Sequence, residues 1–158
     1  MIKHLQNEDG ITLIELLATL AILSIIGSLL YGVLLNGIDY SKKSKATVSL
    51  QQEMNIIITN INKVHESYGS YNIVVNRNPD ASKIQLLVKD STGTVIRTIE
   101  LSNTDYEYSL FDYHGTTEVP FLNTTSVNTS EPLYLKIIIK DKKNPSQTYE
   151  VKTIISRL

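Results

Sequence analysis

Residues 11–35 are apolar at nearly every position, and Glu15 is the single charge among them. A run of this kind crosses a bilayer as a helix, which takes about 20 apolar residues. Past Lys42, Lys43 and Lys45 the pattern changes. Leu50, Met54, Ile57, Ile61, Val64 and Tyr68 recur at alternating intervals of four and three, so they share one stripe of a helix. Gly69 supplies a stop signal. The two patterns predict one long helix over about residues 11–68, apolar on all sides in its first half and amphipathic in its second. The stripe covers fewer than three heptads and runs straight into strand-like sequence. It therefore reads as a face that packs on the protein's own sheet rather than as a coiled-coil seam.

From Tyr71 the period shortens to two, in runs at residues 71–75, 84–90, 95–101, 106–113, 133–141 and 149–156. Leu133, Leu135, Ile137 and Ile139 fall on one face, and Lys136 and Lys140 on the other, as in a sheet buried on one side. Residues 89–93 and 141–147 carry the turn chemistry of hairpin loops. Residues 115–132, rich in Ser, Thr and Asn, read as a polar surface loop. The fold class is α+β, with a long N-terminal helix packed on a C-terminal antiparallel sheet.

Composition narrows the function. The 158 residues leave room for one domain and an anchor. Fifteen Lys and Arg against 16 Asp and Glu give a formal net charge of -1, so there is no global basic field to hold a nucleic-acid backbone. With no cysteine there is no disulfide framework and no thiolate ligand or nucleophile. His4, His65 and His114 lie far apart without metal-ligand spacing. Asp112 and His114 have no activated nucleophile motif to serve, and no phosphate-binding glycine loop is present. No enzyme activity, catalytic residue, cofactor or metal is expected.

The remaining chemistry lies at the N-terminus. A carboxylate in a membrane segment costs about 2.5 to 3.5 kcal/mol, which implies a use for Glu15. A secretory signal places its small cleavage residue after the apolar run, whereas here Gly10 precedes it. Cutting between Gly10 and Ile11 creates a new amine four residues before Glu15, within reach of that carboxylate or of a neighbour's.

Gly10 followed by Ile11, Thr12, Leu13, Ile14, Glu15 and Leu16 resembles the cleavage and methylation motif of type IV pilins and pseudopilins, with Ile11 where Phe is commonest. The resemblance implies that a prepilin peptidase/methyltransferase removes residues 1–10 and methylates the Ile11 amine, and that Glu15 neutralises that amine when subunits dock. It implies a leader at 1–10, a transmembrane and assembly helix at 11–36, its amphipathic continuation at 37–69 and an exported β-rich domain at 70–158. The implied protein is a minor pilin or pseudopilin in the cytoplasmic membrane, single-pass, whose partners are other pilin or pseudopilin subunits in a cell-surface filament. Secretion, adhesion or DNA uptake would be its purpose. The lack of cysteine and the short acidic leader suggest a Gram-positive competence or type II secretion-like system.

Charge points the other way on orientation. Lys42, Lys43 and Lys45 outnumber the leader's Lys3, so the positive-inside tendency alone would keep the C-terminus in the cytoplasm. The motif is the more specific signal, and it places the leader in the cytoplasm and the domain outside. Removing residues 1–10 leaves a formal net charge of zero, and no direct nucleic-acid binding is expected of the domain. The alternative reading is a single-pass, membrane-anchored extracytoplasmic binding module.

Overall fold

The computed structural model describes residues 11–78, 81–121 and 123–157. Helix α1 runs over Leu13–Ser67 without a break, in agreement with the predicted span. It begins at Thr12, whose carbonyl accepts the first helical bond from Leu16 N at 3.2 Å. It ends just before Gly69. Two compact units divide at Ser44 and Lys45.

In the C-terminal unit the predicted stripe is the buried one. Leu50, Met54, Ile57, Ile61 and Val64 are each at most 2% exposed, and Tyr68 packs at the margin of the same core. Burying each such aliphatic side chain contributes about 1.5 to 3 kcal/mol. The facing layer is antiparallel throughout but is divided between two four-stranded sheets. The first joins β1 (Ser70–Asn78), β2 (Ala81–Lys89), β3 (Val95–Glu100) and β6 (Asn123–Asn128), in the order β3-β2-β1-β6. The second joins β4 (Tyr106–His114), β5 (Thr117–Pro120), β7 (Leu133–Asp141) and β8 (Thr148–Ile155), in the order β5-β4-β7-β8. Tyr71, Ile73, Ile84, Leu86, Leu110, Leu135, Ile137 and Ile139 reach the core from alternate positions, as the period of two requires.

Both predicted hairpin loops are turns. Asp90 Oδ1 accepts from the backbone of Thr92 and Thr94, both at 2.9 Å, while Gly93 takes a φ of +84°. Asp141 Oδ1 accepts from Lys143 N at 2.7 Å. The polar loop expected at 115–132 is instead mostly strand. Gly115, at φ +66°, turns β4 directly into β5, and Tyr113 pairs with Glu118. β6 lies along β1 with Tyr71 opposite Val127 and Ile73 opposite Thr125. Val127 is the only β6 residue buried, so the strand shows little apolar alternation and is held by its ladder to β1. Thr129 fastens its far end, donating from Oγ1 to the Gly69 carbonyl at 2.9 Å.

Polar groups tie the helix to the second sheet. Tyr108 donates to Glu53 Oε1 at 2.7 Å and accepts from Asn103 N at 2.7 Å, and Ser49 hydrogen-bonds the Tyr106 hydroxyl. Burial and the Glu53 bond push the Tyr108 hydroxyl well above the ordinary phenol range, so it remains a donor. On the sheet's other face Lys136 points away from the helix, as predicted, yet is only 9% exposed. Glu118 at 2.9 Å and Glu150 at 3.2 Å cover it, and Lys152 bonds Glu118 at 2.9 Å. The bond from Lys136 holds the Glu118 carboxyl below its usual range.

His65 is fully buried at the end of α1, four residues after Ile61. Its Nδ1 lies 3.3 Å from the Tyr71 hydroxyl, while Nε2 is buried without a partner among the described residues. A helix C-terminus favours protonated histidine. Burial outweighs that and, helped by the Arg157 charge, lowers the His65 pKa. A depressed folded-state pKa gives stability that is complete above the unfolded value of about 6.5 and is lost as pH falls through the folded one. Thermal midpoints measured from pH 7 to pH 5 are expected to drop, and His65→Phe is expected to flatten that slope. An unchanged slope in the variant would place the acid sensitivity elsewhere.

Candidate functional site

Among its described residues the N-terminal unit buries no side chain. Ile11, Leu13, Ile14, Leu23, Leu29 and Val33 are each more than 60% exposed, and the stretch is long and apolar enough to cross a membrane. Two of its hydroxyls, those of Thr19 and Ser24, are satisfied by the helix's own carbonyls, as a hydrocarbon setting favours. Thr19 Oγ1 donates to the Leu16 carbonyl at 2.9 Å and Ser24 Oγ to the Leu20 carbonyl at 2.8 Å. α1 continues unbroken through Gly27, Gly32 and Gly37, and nothing within 4 Å would meet a Cβ at any of them. Among the described residues no contact requires those glycines.

Glu15 sits in the first turn and bonds reciprocally with Thr12. Its Oε2 accepts from Thr12 N and from Thr12 Oγ1, both at 2.9 Å, and Glu15 N approaches Thr12 Oγ1 at 3.4 Å. This is a capping box, which satisfies backbone donors that a helix start leaves unpaired and sets a negative charge at the positive end of the helix dipole. Among the described residues Oε1 has no partner, so the carboxylate keeps acceptor capacity for a cation. The role of Thr12 goes beyond the sequence reading, although Thr-x-x-Glu is itself the signature of a capping box. Ile11 directly precedes this turn and is 79% exposed. Gly10 and the rest of the expected leader, residues 1–10, lie outside the described residues.

The other singled-out residues form no comparable centre. His114 Nε2 pairs with Asp112 Oδ1 at 3.3 Å, and its ring lies 4.7 Å from that of Tyr134. The two side chains line a cleft of about 170 Å³ with Thr125, Ser126, Asn128, Glu131 and Tyr134. His65 is remote from them in the core, and no group of three or more metal-ligating side chains occurs among the described residues. Tyr106 and Tyr108 pack inward, whereas Tyr113 meets Tyr134 edge-on at 6.0 Å.

Residues 5–31 match the family model for the prokaryotic N-terminal methylation motif, the signature of type IV pilin and pseudopilin precursors. No curated protein and no solved structure matches the chain.

Proposed function

We propose that this chain is a structural subunit of a type IV pilus-like filament, of the minor pilin or pseudopilin kind. The observation that carries the reading is the methylation motif at residues 5–31, which takes in the start of the exposed apolar helix and the Glu15 of its first turn. In this reading a prepilin peptidase cuts after Gly10 and methylates Ile11. Residues 11–36 then lie in the cytoplasmic membrane, 37–69 continue the helix, and 70–158 form the exported domain. In the filament, Glu15 neutralises the Ile11 amine of a docking subunit through the acceptor capacity that Thr12 leaves open. The protein acts by assembly rather than by catalysis, in a secretion, adhesion or DNA-uptake machine.

Mass spectrometry of the membrane-extracted protein tests the first step. The mature chain is expected to begin at Ile11 and to carry one N-methyl group. The cleft beside Asp112 and His114 favours a second reading, a tethered binding module, and the two part at Gly10. Retention of residues 1–10 in cells with an active peptidase would reject the filament reading and leave the module.

A further inference from the structure

A ring of cationic and aromatic side chains follows the apolar run. Tyr40 is 77% exposed, and Lys42, Lys43 and Lys45 are exposed on the same unbroken helix, against one nearby acid, Asp39. Helix geometry fixes where they fall. From Glu15 to Asn36, where the apolar run ends, 21 helical steps span about 32 Å, close to the roughly 30 Å of bilayer hydrocarbon. With those two polar residues at the hydrocarbon boundaries, Tyr40 lies about 6 Å and Lys42 about 9 Å beyond the second one. A bilayer of about 40 to 45 Å with its polar regions leaves about 5 to 8 Å of headgroup layer on each side, so Tyr40 lies in that layer. Lys42 and, at about 14 Å, Lys45 lie just beyond it, within a Debye length of the surface and with side chains long enough to reach back to it. Tyrosines concentrate at the headgroup level, and lysines near it feel the attraction of anionic lipid.

We infer that Lys42 and Lys45, with Tyr40, form a collar that binds the phosphate headgroups of anionic phospholipid and sets the depth of the helix. The inference rests on the membrane insertion proposed above, but it holds for either orientation of the chain. It also gives the lysines that oppose the positive-inside tendency a use on the exported side. Binding here is electrostatic and is weakened by salt.

The test uses the full chain in vesicles of phosphatidylcholine and phosphatidylglycerol. Because the protein has no tryptophan, Tyr40→Trp introduces a single indole reporter. Its fluorescence is quenched by lipid brominated near the headgroup, with the bromine carried in one sample by the neutral lipid and in the other by the anionic lipid at the same mole fraction. The anionic lipid is expected to quench with about fivefold preference at low salt, the attraction of one lysine to an anionic surface. Adding Lys42→Gln and Lys45→Gln to the reporter chain should abolish the preference. Equal quenching by the two lipids, or a preference that survives the glutamines, overturns the collar while leaving membrane insertion intact. Absence of quenching by either lipid overturns the insertion itself.

Discussion

Glu15→Ala is expected to leave the protein at its normal level in the membrane and to remove it from sheared filaments. Insertion is not impeded, because the substitution takes a charge out of a segment where charges are costly. The helix loses its reciprocal cap with Thr12, on the order of 1 kcal/mol at a terminus that lies outside the C-terminal unit. Docking suffers far more. The incoming Ile11 amine would be buried among packed apolar helices without its counter-charge, and an uncompensated buried ion costs about 3 to 5 kcal/mol. That is more than about a hundredfold in the assembly equilibrium. Glu15→Gln separates the two effects, since its amide oxygen still accepts from Thr12 N while the charge is gone. It is expected to fail in assembly as completely as Ala does. Immunoblots of membranes and of sheared filaments read both quantities, and normal filament recovery of either variant would sink the pairing.

The second large effect is on folding. Ile57 is fully buried midway along the stripe, while Ile56 beside it is 53% exposed. Ile57→Ala is expected to cost about 2 to 5 kcal/mol, a transfer loss plus the cavity left where helix meets sheet. Ile56→Ala should change stability by less than about 0.5 kcal/mol. For a domain whose whole stability is about 5 to 15 kcal/mol, the first should lower the denaturant midpoint visibly and the second should not. Equal losses at the two positions would mean that the helix packs through a different face.

The contrast between those adjacent isoleucines was legible in the sequence, because periodicity records which side of a helix is covered. Six strands were legible for the same reason, each having apolar residues at alternate positions. β5 and β6 were not. Thr117–Pro120 and Asn123–Asn128 place almost nothing in the core, and the β6 ladder to β1 joins residues some fifty positions apart. Nothing local encodes such pairing, although the threonines of β6 are good strand formers and were a usable sign. The division into two sheets was hidden for a related reason, since strand order depends on contacts between distant segments. At the candidate site the place of Glu15 at the head of the apolar run was plain in the sequence, and the structure added the capping role of Thr12 and the carboxylate oxygen it occupies. The burial of His65 was foreshadowed by its place four residues after Ile61, on the flank of the stripe.

Ser49 and Glu53 stand four residues apart on α1, about 6 Å along its axis, and their partners Tyr106 and Tyr108 stand two apart on β4, about 6.8 Å. The two spacings nearly coincide, so the pairs close together in one alignment, like a key with two teeth. A greasy contact of leucine, methionine and isoleucine resists separation but tolerates sliding. The paired hydroxyls do not, because a slip of one turn would offer Ser49 to Tyr108 and carry Glu53 past both tyrosines. Pull on the helix along its axis is therefore met by two polar bonds strained at once. In the filament proposed above, a subunit held by its helix and loaded through its domain would meet that pull with both bonds at once.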